Sequence, residues 1–209
     1  MDQEHEYALI GGINRAKVGR YLALLAATVS ASIVFLMLSA IDLAKRYGIP
    51  VNLPPALLSL VGAGTIFTVL YWIFDRYAWR WRYLGNLLKV PDLRGEWTCV
   101  GRSLQPGQSF GRDWTGTLTI SQSWDKLRVR LKTHQSGSNS ISAALIHDEI
   151  DGYVLLYHYK NDPNIVVPDL TSHRGFAELT FAKDCRSAGG DYFNGRGRVT
   201  FGTMRLTRL

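Results

Sequence analysis

Two long runs without a charged residue constrain this chain more than any other feature. Twenty-one uncharged residues separate Arg20 from Asp42, and 28 separate Arg46 from Asp75. At about 1.5 Å rise per residue, a helix over 21–41 covers ~31 Å, close to the hydrocarbon thickness of a bilayer. Residues 53–74 do the same, with Pro54 and Pro55 in a first turn, where a missing N–H costs little. A core helix of a soluble domain shows a polar stripe, and neither run has one. The spacing predicts a two-helix transmembrane hairpin, 21–41 and 53–74, behind an N-terminal tail of residues 1–20. Ser39-Ala40-Ile41-Asp42 is a poor cleavage site, so the first helix is expected to be retained.

Lys and Arg counts in the flanks set the orientation. Arg15, Lys17 and Arg20 precede the first run, Lys45 and Arg46 lie between the two, and Arg76, Arg80, Arg82, Lys89 and Arg94 follow the second. That distribution predicts cytoplasmic termini and a multi-pass protein of a plasma membrane. Tyr71, Trp72, Tyr77, Trp79, Trp81 and Tyr83 read as an interfacial belt in contact with membrane lipid, within a connector over 75–90. Ala23, Ala27 and Ala31 recur every fourth residue, and Gly62 lies in the second run. Such small residues let helices pack closely, within one hairpin or between the hairpins of several copies.

From Pro91 the character changes. These 119 residues hold 15 Lys and Arg and 12 Asp and Glu, and the hydrophobic period becomes two. Leu127, Val129 and Leu131 alternate with Lys126, Arg128, Arg130 and Lys132, and Tyr153, Leu155, Tyr157 and Tyr159 alternate with Val154, Leu156, His158 and Lys160. Eight strands are predicted, near 95–103, 113–124, 126–133, 139–150, 153–161, 174–182, 190–199 and 202–209. Short strands and tight turns make 91–209 a small antiparallel barrel first and a two-sheet sandwich second. An eight-stranded barrel has an interior sized for side chains or one small ligand.

The chemistry available is that of binding. His134, His147, His158 and His173 lack the spacing of a zinc site, Cys99 and Cys185 stand 86 residues apart, and no phosphate loop or nucleophile elbow occurs. No catalytic residue, metal or cofactor is predicted, nor a DNA or RNA partner. On a late strand, Tyr192, Asn194, Arg196 and Arg198 share one face. An arginine fork fits phosphate oxygens and an aromatic ring stacks on a base, although solvated outer arginines explain the same alternation.

One arrangement of motifs is family-like. Two N-terminal spans and an aromatic-basic connector lead into Leu93-Arg-Gly-Glu-Trp97, then Gln122-Ser-Trp124, Thr133 with Ser136, Ser138 and Ser140, and Tyr157-His-Tyr-Lys-Asn161. His173-Arg-Gly175, Gly190-Asp-Tyr-Phe-Asn-Gly-Arg196 and Gly202 follow. The order resembles the two-transmembrane, β-strand-rich effectors of bacterial cyclic-oligonucleotide-based anti-phage signalling. The resemblance implies a cyclic di- or trinucleotide made by a partner nucleotidyltransferase, binding in the barrel, homo-oligomerisation, and disruption of the inner membrane that kills the infected cell. It also implies that Trp124, Thr133, Ser136, Ser138, Tyr157, Tyr159, Asn161, His173, Tyr192, Asn194 and Arg196 line or shape the site. The rival readings are a membrane-anchored, lipocalin-like carrier of an apolar ligand, with few buried polar groups, and a scaffold with a solidly packed barrel.

Overall fold

Alternation of buried and exposed residues sets the architecture of the β-rich part. The computed structural model describes residues 4–50, 61–107, 111–163, 172–195 and 199–209. Among the described residues nine strands occur: β1 (His5–Ile10), β2 (Gly95–Leu104), β3 (Arg112–Gln122), β4 (Lys126–Thr133), β5 (Ser136–Asp148), β6 (Gly152–Pro163), β7 (His173–Phe181), β8 (Ser187–Gly195) and β9 (Thr200–Arg208). The last eight match the predicted set to within a few residues. They form one sheet in the order β1-β4-β3-β2-β9-β8-β7-β6-β5, which closes into a barrel.

The ninth strand corrects the expectation of a plain tail over 1–20 and of eight strands. His5 and Glu6 pair antiparallel with β4, and Tyr7–Ile10 pair parallel with β5. β4 and β5 pair directly from Arg130/Asn139 to Lys132/Gly137, and beyond that stretch β5 shifts register against β6 at Ser140/Ser142. There β1 fills the split between β4 and β5. Its inward Tyr7 is buried and donates through its hydroxyl to the Ser123 carbonyl at 3.2 Å, and His5 Nε2 meets Ser140 Oγ at 2.7 Å.

Inside, the barrel has two chemically different ends. Around one end Trp97, Trp124, Leu118, Leu127, Leu155, Leu179, Phe181 and Leu206 are fully enclosed, and each such side chain contributes about 1.5–3 kcal/mol by leaving water. Buried Gln122 staples the segment entering β2 to this end: its Oε1 accepts from Leu93 N at 3.0 Å, and its Nε2 donates to Pro91 O at 3.2 Å. The other end, where β2, β4, β7 and β9 carry Ser103, Thr133, His173 and Thr200, is polar.

The chain divides into two compact units, one of residues 1–12 and 79–209, the other of residues 13–78. The predicted connector is thus split, its later part belonging with the strands as a 3₁₀ turn (Ala78–Arg80) and the short helix α3 (Arg82–Leu88). Trp79, expected in an interfacial belt, is instead fully buried, with the Arg94 guanidinium 6.0 Å from its ring centre.

In the second unit, α1 (Arg15–Arg46) starts at Asn14, whose Oδ1 accepts from Ala16 N at 2.8 Å, and ends with Lys45 and Arg46 in its last turn. It is long and apolar enough to cross a membrane, and only 6% of its most apolar window is buried within the chain. α2 (Ala63–Arg76) follows Gly62 as its N-cap. Part of the second predicted span, residues 53–60 with Pro54 and Pro55, lies outside the described residues. On α1, Ala26 and Ser30 are buried, and Ser30 Oγ donates to Val61 O at 2.6 Å. Ala23, Ala27 and Ala31 are exposed on the remainder of the helix.

Candidate functional site

The polar end of the barrel holds a cavity of about 110 Å³. Nine residues expected from the sequence line it: Thr133 on β4, Ser136 and Ser138 on β5, Tyr157, Tyr159 and Asn161 on β6, His173 on β7, and Tyr192 and Asn194 on β8. Two do not join them here. Trp124 sits in the turn between β3 and β4 and is fully buried outside the cavity lining, so it acts as core. Arg196 lies outside the described residues.

Inward glycines make this geometry possible. Tyr159, Gly175 and Asn194 form one rung across β6, β7 and β8. Because the middle position has no side chain, the Tyr159 ring lies across Gly175 and its hydroxyl donates to Asn194 Oδ1 at 2.8 Å. Asn194 Nδ2 in turn donates to Thr200 Oγ1 at 2.7 Å. The device repeats at Tyr192, Gly202 and Ser103, across β8, β9 and β2. There the tyrosine and serine hydroxyls hydrogen-bond over the glycine, and Trp114 Nε1 donates to the same tyrosine oxygen at 3.1 Å.

The result is a wall of held aromatic rings. Trp114 meets Tyr192 edge-on at 5.9 Å, and Tyr157 and Tyr159 are 5.8 Å apart, tilted by 46°. Burial pushes the Tyr157 hydroxyl well above the ordinary tyrosine pKa, with Tyr159 and Cys99 adding to the rise, so it stays a neutral donor. On the facing wall Thr133 Oγ1 organises the β4–β5 turn, donating to Ser136 O at 3.0 Å and accepting from Ser136 N at 3.1 Å.

Asn161 is the unsatisfied member. Its Nδ2 contacts His173 Nε2 at 3.1 Å, while its buried Oδ1 has no hydrogen-bond partner among the described residues. A buried acceptor left unpaired costs about 1–3 kcal/mol, which a ligand N–H removes on binding. Arg112, exposed, is the lysine or arginine among the described lining residues.

Sequence reasoning missed Ser103, Arg112, Trp114 and Gln135, together with Leu131 and Met204. The signal for Trp114 is parity. It shares the inward set of β3 with Leu118, Ile120 and Gln122, and Ser103 shares that of β2 with Trp97 and Cys99.

All the lining residues fall within 88–208, which matches the family described as Cap15, cyclic dinucleotide receptor domain. The chain belongs to the Cap15 family. Residues 16–80, which hold nearly all of α1 and the whole of α2, match the description Cap15, TM helices, so this Cap15 chain is a membrane protein. A relative named CD-NTase-associated protein 15, from Yersinia aleksiciae, is 46% identical over 207 residues, spanning 99% of this chain and 98% of its own. The family agrees with the resemblance carried by the motifs.

Proposed function

We propose that this protein is a non-enzymatic effector of a bacterial anti-phage system. Its barrel receives a cyclic dinucleotide made by a partner nucleotidyltransferase, the chains oligomerise, and the membrane helices then disrupt the inner membrane. The observation that carries the reading is the cavity: four large aromatic side chains, several hydroxyl donors and one buried amide oxygen without a partner among the described residues, in a region of the cyclic dinucleotide receptor family. A cyclic dinucleotide brings two flat bases for Trp114, Tyr157, Tyr159 and Tyr192. It brings two phosphates for the Thr133, Ser136 and Ser138 hydroxyls and Arg112, and base N–H groups for Asn161 Oδ1. Trp124 shapes the barrel from its core, and Arg196 is a second candidate for phosphate.

The hairpin of helices near 21–41 and 53–74 has both ends in the cytoplasm, where such a ligand is made. Ala23, Ala27 and Ala31, exposed on α1, pack against other copies once these gather. The carrier reading is the weaker one, because Leu131 and Met204 are the aliphatic members of a mainly polar and aromatic lining.

The test is a thermal-shift panel on the full-length protein in detergent micelles, with cyclic di- and trinucleotides and linear controls. Ligand at about 100 times its Kd stabilises by ~2.7 kcal/mol, a rise of several degrees. One cyclic dinucleotide giving that rise, lost in Tyr192→Ala, supports the reading. No shift with any nucleotide, but a shift with an apolar probe, overturns it in favour of the carrier.

A further inference from the structure

The outer face of β7, β8 and β9 carries features the cavity does not use. Register sets Phe176, Phe193 and Phe201 side by side on these three strands, with Leu104 of β2 completing the row. Phe176 and Phe193 stack at 5.7 Å, and Phe193 and Phe201 are 56% and 45% exposed. One rung along, Glu178 and Asp191 are paired directly opposite each other, both exposed and both without an ion-pair partner among the described residues. Like charges facing across a sheet destabilise it, and contiguous exposed apolar rings mark interaction surfaces. A wall that keeps both suits a cationic partner with apolar stems.

The chain itself presents such a surface. Lys126, Arg128, Arg130 and Lys132 follow one another along the outer face of β4, beside the threonines of β3. Counting strands from β8, β4 lies four steps away through β9, β2 and β3, and, where Arg130 and Lys132 pair with β5, four through β7, β6 and β5. The acidic phenyl face and the basic stripe therefore occupy opposite walls of the barrel. They also share a level along its axis, since Arg130 and Lys132 flank the cavity-lining Leu131 while Asp191 and Phe193 flank the cavity-lining Tyr192.

We infer that the acid-edged phenyl face of one copy docks on the β4 stripe of a second copy, joining barrels head to tail. The inference rests on the reading that this protein assembles, and names the surfaces that do it. Arg130 and Lys132 lay their stems and charges over the rings and neutralise Glu178 and Asp191. A contact between different faces on opposite walls is heterologous and does not close at two copies. Repetition by translation keeps every copy in one orientation, as chains anchored in one bilayer require. Each docking strand also lines the cavity with its alternate residues, so an occupant touching Tyr192 or Leu131 sits one residue from a docking face.

The experiment uses the full-length protein in phosphatidylcholine vesicles at high protein-to-lipid ratio, where mass action drives the contact with or without nucleotide. A zero-length carbodiimide couples lysine to carboxylate, and a bond from Lys126 or Lys132 to Glu178 or Asp191 forms only between copies. The expected result is a ladder of oligomers whose linked peptides are these pairs. Arg130→Glu with Lys132→Glu, Glu178→Lys with Asp191→Lys, or Phe193→Ser each reduce it at least about tenfold, since like charges or lost apolar contact cost more than 1.4 kcal/mol. All four charge reversals together restore the ladder, with unfolding temperatures unchanged. A ladder indifferent to these changes, linked peptides from other residues, or no recovery in the fourfold variant overturns the inference. At a low protein-to-lipid ratio, where mass action no longer drives the contact, a ladder of the expected pairs that ignores cyclic dinucleotide supports the contact while overturning ligand gating, so the two failures are distinct.

Discussion

Replacing Gly101 by alanine tests how the aromatic wall of the cavity is seated. Gly101 faces Trp114 across β2 and β3, and the indole lies directly over it. A Cβ at position 101 would stand 2.1 Å from Trp114 Cζ2, 2.2 Å from Cε2 and 2.8 Å from Cη2, all of them atoms of this one ring. The ring has to retreat by more than an ångström before contact becomes ordinary. That retreat breaks the Trp114 Nε1–H bond to the Tyr192 hydroxyl and the edge-on contact at 5.9 Å. Overpacking costs about 1–3 kcal/mol and the lost hydrogen bond ~0.5–1.5 kcal/mol, so a net loss of about 2–4 kcal/mol is expected.

The assay is unfolding of full-length protein in micelles, followed by a double-mutant cycle. In a Trp114→Ala background the same Gly101→Ala change is expected to cost under about 0.5 kcal/mol, because the three nearest atoms it strikes are gone. Gly189→Ala, with nothing within 4 Å of its added carbon, is the control. Additive costs in the cycle, or a Gly101→Ala protein as stable as the parent, would refute the argument that this glycine seats the indole.

Three further outcomes follow from other parts of the barrel. Tyr7→Ala empties a buried position between β4 and β5 and is expected to cost about 3–5 kcal/mol in the same unfolding assay; a cost below 1 kcal/mol would mean β1 is not part of the folded sheet. Asp92 is half-buried, which alone raises its pKa, yet the Arg94 guanidinium at 2.7 Å and further hydrogen bonding outweigh this and hold it below the usual 3.8. Its stabilising effect is therefore complete above pH 3.8 and lost as pH falls through the lowered value, and Asp92→Asn should flatten that acid limb of the stability curve. Burial pushes the Cys99 thiol up to about 12, so a thiol reagent at pH 8 should leave it unlabelled in native protein and label it on denaturation; rapid native labelling would contradict its enclosure.

The strands after Pro91 were legible because a half-buried strand must alternate: Leu127 and Val129 are buried between Lys126, Arg128 and Arg130 just as their period requires. β1 was not legible. Six residues, HEYALI, offer too few alternations beside the start of a long apolar helix, and its partners lie more than a hundred residues away. The cavity residues came from the order of motifs and not from alternation, which leaves open which inward rung is core and which is site. That distinction depends on the glycines: Gly175 and Gly202 turn neighbouring tyrosines sideways across the lumen, leaving space, whereas the Trp97 and Trp124 end has none to spare. Trp124, expected to line or shape the site, falls among the core residues that shape the barrel, and Trp114 was missed because it belongs to none of those motifs.

The split barrel also has a consequence for how the protein is made. β1 leaves the ribosome first, yet the strands that flank it, β4 and β5, come only after both apolar segments, and His5 and Ser140 stand 135 residues apart. During synthesis the leading strand must wait, unpaired, while the membrane segments are inserted and the first four strands of the main run emerge. Its docking joins the strand pairs furthest apart in the chain among the described strands. A chain halted or cleaved before residue 148 has an open sheet and no complete cavity, so a receptive barrel exists only on a molecule whose anchor has already been synthesised.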